Sequence, residues 1–324
     1  MPAASLRALL AHSIDYAGMF PPCSLALEPA LQNQAQYVQS PDAWMLSTFV
    51  LPVDQFEAAS ASVSRFDRKH PLRLSALGAK TERAIDFVGA LKTAAQTIQS
   101  FSKEHVDLVS VNQLEMLLPV RARRGTSPSD WRTGLALDVD LGALNEARLL
   151  IGDLQLQAFW EAPAEMAERA IALLAEHNNS GTETRAFGYK LRTGGVTADA
   201  FPTLGQIARA LVASAKHRVP TKFTAGLHHP LRQFRDEVKT KMHGFLNVLG
   251  AAVLAAEHRW DEQQTAIMLE DENASSFSFG DEFFAWREWK IDNHRIEAQR
   301  QLVTSFGSCS FNEPREDLRT LNFL

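Results

Sequence analysis

Cysteine is nearly absent. Cys23 and Cys309 are the two thiols in a chain of 324 residues, and neither belongs to a CxxC or other metal-ligand spacing. Both are read as reduced. Positive charge is not in excess either: 33 Lys and Arg stand against 38 Asp and Glu, for a net charge of -5. With a pI near 6.1, the chain has no general attraction to nucleic acid or to an anionic membrane, so any anion site must be local. No apolar run reaches the roughly 18 residues that a membrane span requires. The start, Met1-Pro2-Ala3-Ala4-Ser5-Leu6-Arg7, lacks the basic head and long apolar core of a signal peptide. The expectation is a cytoplasmic protein with neither nucleic-acid nor membrane partners.

What is present is a regular alternation of strand-like and helix-like runs. Apolar, β-branched runs occur at Trp44 to Pro52, Leu72 to Gly78, Val106 to Val111, Leu154 to Glu161, Ala186 to Arg192 and Thr221 to Leu227. Amphipathic spacing separates them, at Leu25 to Val38, Phe56 to Phe66, Glu82 to Phe101, Leu144 to Leu150, Glu165 to His177 and Leu204 to His217. Strands joined through helices form a parallel sheet, because a parallel return needs a long crossover. This many units predict one α/β domain over residues 1–324, a TIM (β/α)8-like barrel. Residues 1–43 are expected as an N-terminal helical segment and residues 230–300 as an irregular insertion or lid. Within the latter, Phe245 to His258 and Glu262 to Glu270 read as helices. Phe277 to Trp289 fits a strand, a hairpin or a helix, and Phe306 to Phe311 a last strand and turn. The stretch Arg121 to Asp130 reads as a loop.

Two strand-like runs end in unusual residues: Gly188-Tyr189-Lys190-Leu191-Arg192-Thr193-Gly194-Gly195 and Thr221-Lys222-Phe223-Thr224-Ala225-Gly226-Leu227-His228-His229. A lysine in a buried strand needs a partner or loses its proton. Side chains alternate along a strand, so with Phe187, Tyr189 and Leu191 facing the helices, Gly188, Lys190 and Arg192 face the interior. The same argument turns Lys222, Thr224, Gly226 and His228 inward, and Gln155, Gln157, Phe159 and Glu161 on the preceding strand. Barrel enzymes carry their sites at the strands' C-terminal ends, so Glu161, Lys190, Arg192, Lys222 and His228 are the first candidates. Gly194 and Gly195 suit a turn whose amides hold an anion. Each feature also has a plainer reading: a structural Lys190–Glu161 pair, a surface Arg192, and loop histidines at His228 and His229. Asp138 and Asp140 fit a solvated turn as well as a metal pair. Asp15 and Tyr16 either pack or reach the site.

Two interior lysines fit carbonyl chemistry. An amine attacks a carbonyl only when neutral, and a second cation nearby favours the neutral form. The iminium that results is an electron sink for breaking a neighbouring bond.

The pattern Lys190-x-x-Thr193-Gly194 resembles the Schiff-base lysine motif of deoxyribose-phosphate aldolase, and Lys222-x-Thr224-x-Gly226-Leu227 resembles the strand of that family's second lysine. Val106-Asp107-Leu108-Val109 is similar to its active-site aspartate strand, and Phe306-Gly307-Ser308-Cys309-Ser310 to its last phosphate-binding turn. The resemblance implies an imine at Lys190 and a Lys222 that lowers its pKa. It also implies proton transfer assisted by Asp107, and phosphate contacts from Gly194, Gly195, Gly307 and Ser308. Arg192, the His228-His229-Pro230 extension and the roughly 80 residues between Lys222 and the last turn depart from that pattern. The whole chain, from Ile14-Asp15-Tyr16-Ala17-Gly18 onward, also resembles a family of uncharacterised bacterial proteins.

Three functions are open at this stage. One is a lyase forming an imine at Lys190 with a small carbonyl or anionic substrate, with no cofactor or metal. Another is a metal-dependent lyase or hydrolase using His228, His229 and Glu161 or Asp107. The third is a noncatalytic protein that binds phosphate or carboxylate through Lys190, Arg192, Lys222 and His228. A homo-oligomer is compatible with each.

Overall fold

Eight short strands pair edge to edge and close on themselves in the computed structural model, which describes residues 2–122, 135–180 and 185–324. They are β1 (Ile14–Tyr16), β2 (Leu46–Pro52), β3 (Leu72–Leu77), β4 (Val109–Leu117), β5 (Gln157–Glu161), β6 (Gly188–Arg192), β7 (Thr221–Thr224) and β8 (Val303–Ser308). Every pairing around the ring is parallel, in the order β1-β8-β7-β6-β5-β4-β3-β2. The expected α/β barrel is therefore the fold.

The outer helices follow from apolar spacing. In Ala84–Glu104 the buried residues Phe87, Leu91, Ala94, Ala95, Ile98 and Phe101 recur at three- and four-residue steps, which makes one stripe against the barrel. Helix Leu204–His217 starts at a capping box: Thr203 Oγ1 accepts from Gln206 N, and the Gln206 side chain accepts from Thr203 N. Helix Phe245–His258 is buried from Phe245 to Ala255 because helices Leu204–His217 and Glu262–Glu270 cover the faces that the barrel leaves open.

Several expected boundaries move, each for a local reason. The 1–43 segment is not wholly helical, since β1 lies within it and closes the barrel. Three residues are too few to show a period. Strand β4 extends to Leu117 rather than stopping at Val111. Its pairing skips from Leu74↔Val111 to Ser75↔Gln113, a bulge at Asn112 that resets which side chains face inward. Gln155, expected inside the barrel, instead takes a left-handed turn (φ 53°) ahead of β5. Strand β7 ends at Thr224 because Ala225 (φ 60°) and Gly226 (φ 77°) both turn left-handed. The undecided aromatic stretch forms an antiparallel three-stranded sheet of Phe277–Phe279, Phe283–Trp286 and Trp289–Asp292. It packs on helices Ala4–Leu10, Phe245–His258 and Asn293–Arg300. The loop expected over Arg121 to Asp130 lies outside the described residues beyond Ala122.

Candidate active site

Parallel strands bring all their C-terminal ends to one mouth. Glu161 pairs in register with Lys190, and Lys190 with Lys222. This puts three charged side chains at one level across three strands, directed inward by the alternation. Lys190 is 4% and Lys222 1% exposed. Ammonium groups buried this deeply need counter-charges. Lys190 Nζ lies 2.7 Å from Glu115 Oε2 and 2.9 Å from Glu161 Oε2. Lys222 Nζ donates to Glu115 Oε1 at 2.5 Å and to Gln113 Oε1 at 2.6 Å, and lies 2.8 Å from Asp15 Oδ2. One carboxylate thus bridges both lysines.

The carboxylates are held in turn. Ser75 Oγ donates to Glu115 Oε1 at 2.5 Å. Asp15, wholly buried, accepts from Thr48 N at 3.2 Å, Thr48 Oγ1 at 2.6 Å and Ser305 Oγ at 2.5 Å. Below them Phe159 forms an apolar floor, with Lys222 Nζ 5.4 Å from its ring centroid. Gly188 leaves that ring its space: a Cβ there would sit 2.5 Å from Phe159 and 2.8 Å from the Pro220 carbonyl oxygen.

Burial by itself would lower the pKa of Lys190, but Glu115 and then Glu161 outweigh it and hold the ammonium above its ordinary 10.5. Burial would likewise raise both carboxyls. Lys190 and Lys222 hold Glu115 below the usual range, and Lys190 and Arg192 do the same for Glu161. The expectation that Lys222 lowers the pKa of Lys190 is corrected by this geometry, because Glu115 stands between the two nitrogens and Asp15 offsets the second.

A cavity of about 420 Å³ opens onto the cluster. Glu115, Glu161, Lys190 and Lys222 line one side, and Phe20, Pro21, Val50, Leu77 and Val196 give it an apolar wall. Of the expected residues, Arg192, Gly195, Thr224, His228 and Gly307 also line it. Arg192 Nε donates to Glu161 Oε1 at 3.2 Å from the rim. Residues 230–300 contribute nothing to the described lining.

Other expected site residues stand elsewhere. Asp107 sits at the opposite end of the barrel, in a left-handed turn (φ 69°) before β4, with its half-exposed carboxylate 3.8 Å from Arg68. The strand following it is longer than expected, so its inward carboxylate is Glu115. Thr193 Oγ1 donates to the carbonyls of Ala225 at 2.6 Å and Thr224 at 3.2 Å, tying the loops after β6 and β7 together. Gly194 allows the same approach, since a Cβ on it would lie 2.8 Å from Gly226 Cα. Ser308 Oγ donates to Ser310 O at 2.7 Å and does not line the cavity. His229 turns away, with Nδ1 2.6 Å from Asp317 Oδ2. His228 Nδ1 faces Glu313 Oε2 at 3.4 Å. Among the described residues no group of three or more His, Cys, Asp or Glu side chains is arranged to hold a metal, so the two histidines with Glu161 or Asp107 form no ligand set. Asp140 caps helix Leu141–Ile151 through Ala143 N, and Asp138 accepts from Ala84 N.

Glu115, Gln113 and Ser75 are the residues that sequence reasoning missed. Their signal was the alternation Gln113-Leu114-Glu115-Met116, hidden by the bulge before it.

No protein-family model matches the chain, and no curated protein matches it significantly. Among solved structures, D-allulose 3-epimerase from Methylomonas sp. is 11% identical over 76% of this chain and 82% of its own, with a TM-score of 0.45. A GH10 endoxylanase retrieved from a sugarcane soil metagenome is 11% identical over 71% and 72%, with a TM-score of 0.39. Likenesses this distant carry no inference about activity. The barrel assignment rests on the strand pairing of the chain itself.

Proposed function

We propose that the chain is a lyase-type enzyme that forms an imine between Lys190 and a small carbonyl compound bearing a phosphate or carboxylate. The observation that carries this reading is the position of Lys190, on the cavity side of the barrel and between two carboxylates.

The paired carboxylates suit the product as well as the resting state. In the resting site Lys190 is an ammonium. Glu115 takes one proton, the neutral amine attacks the carbonyl carbon, and the carbinolamine loses its oxygen as water when Glu115 returns that proton. The net change is R–NH3⁺ + O=C → R–NH⁺=C + H2O. A unit positive charge stays where Glu115 and Glu161 already hold one, so the site is organised in advance for the iminium. Lys222 fixes the Oε1 side of Glu115, leaving Oε2 toward Lys190. When a bond beside the iminium carbon breaks, its electrons pass to the nitrogen, and Glu161 or Glu115 accepts or returns the proton. Arg192 at the rim, with buried His228 lining the cavity behind it, is the group we assign to the substrate's anionic end.

The resemblance to deoxyribose-phosphate aldolase agrees with lysines on adjacent strands, with Glu115 in the place that it implied for Asp107. A purely anion-binding role is less well supported. Asp15, Glu115 and Glu161 already offset the buried Lys190 and Lys222, so the two lysines hold no surplus charge for an anion and only Arg192, at the rim, is exposed to one. Reductive trapping of a carbonyl compound on Lys190 tests the proposal.

A further inference from the structure

The two cysteines, 286 positions apart in sequence, meet beside the cavity with Sγ atoms 2.8 Å apart. That is about 0.8 Å longer than a disulfide bond. Both are free thiols, Cys23 exposed and Cys309 buried in the cavity wall. Cys23 belongs to the loop that carries Phe20 and Pro21 over the cavity. This loop is anchored at its start, where Ala17 N donates to Ser308 O at 2.7 Å, and folds on itself through Ser24 N to Phe20 O at 3.0 Å and Leu25 N to Gly18 O at 2.9 Å.

We propose that Cys23 and Cys309 are a site of reversible oxidation, forming a disulfide that fastens the loop of residues 17–25 across the barrel mouth. The exposure difference sets the order of events. A peroxide meets Cys23 first: Cys23–SH + H2O2 → Cys23–SOH + H2O. Cys309 then displaces the hydroxyl, Cys23–SOH + Cys309–SH → Cys23–S–S–Cys309 + H2O, so the two thiols give up two electrons and the peroxide takes them. Burial, and then the hydrogen bond with Cys23, push the Cys309 thiol up to about 12, which keeps it from meeting the peroxide as a thiolate and leaves the first oxidation to exposed Cys23. None of this depends on the imine at Lys190.

Treatment of the full chain with one equivalent of hydrogen peroxide, then digestion without reductant and mass spectrometry, is the test. The expected result is one linked pair of peptides containing Cys23 and Cys309, two hydrogens lighter than their sum and separated again by dithiothreitol. Hydrogen exchange of residues 17–25 should slow by about tenfold in the oxidised form and recover on reduction. Cys23→Ser, at an exposed position, should fold normally and abolish both effects, and Cys309→Ala checks the buried partner. Sulfinic acid at Cys23 with Cys309 still reduced, or a Cys23-linked dimer of chains, would overturn the disulfide. Unchanged exchange in the linked form would overturn the fastening.

Discussion

Lys190 and Lys222 are register partners on neighbouring strands, and the two oxygens of a single carboxylate, Glu115, divide them: Oε2 lies 2.7 Å from the first nitrogen and Oε1 2.5 Å from the second. The pair is therefore neutralised rather than self-repelling, and its consequences for stability and reactivity follow from that charge balance.

Removing one member of this cluster leaves another charge buried alone. Lys222→Met should destabilise the fold by about 3 kcal/mol, the low end for breaking a buried pair. Adding Asp15→Asn to that variant should recover part of the loss, because it removes a carboxylate left without its partner. Urea unfolding of the single and double variants checks this, and equal losses would contradict it.

The pH dependence has a defined sign on each side. Glu115 and Glu161 titrate below their ordinary 4.5 when folded, so their stabilisation is complete above about pH 4.5. It is lost as pH falls through the folded values. Lys190 titrates above its ordinary 10.5, so its contribution is complete below that pH and is lost as pH rises through the folded value. Unfolding free energy should be level between these limits and fall outside them. In Glu115→Gln the acid-side slope should be shallower, and an unchanged slope would count against the assigned pairing.

Arg192 separates binding from chemistry. Its side chain is 53% exposed and its pair with Glu161 lies at the rim, so Arg192→Gln should change stability by under about 1 kcal/mol. If Arg192 meets the anionic group of the substrate, KM should rise about tenfold or more with a smaller change in kcat. Steady-state kinetics on any substrate found by trapping will read this split.

Gly194 and Gly226 permit the close crossing of the loops after β6 and β7. Gly194→Ala would force a Cβ to 2.8 Å from Gly226 Cα and 2.6 Å from the Phe201 ring. It should lower stability by about 1–3 kcal/mol, and thermal unfolding checks this. No loss would show that the loops move apart freely.

The barrel was legible because its helices carry clean amphipathic stripes and its strands are apolar runs between them. Lys190, Arg192, Lys222, Thr224 and Glu161 were placed correctly because simple alternation holds within β5, β6 and β7. It fails where the backbone leaves the regular pleat. The bulge at Asn112 hid Glu115, the left-handed residues Ala225 and Gly226 ended β7 early, and three-residue β1 gave no pattern that could place Asp15 beside Lys222. The sign of the shift at Lys190 was unreadable for the same reason. The spacing of two lysines shows that they are near each other, but not which carboxylate lies between them.

Imine formation at Lys190 is tested most directly by incubating the chain with small phosphorylated and carboxylated aldehydes and ketones in cyanoborohydride, then mapping the modified peptide by mass spectrometry. The account predicts one covalent adduct, on Lys190, and its absence in Lys190→Met. An adduct on Lys222 or on surface lysines alone, or none with any carbonyl compound in the panel, would contradict it.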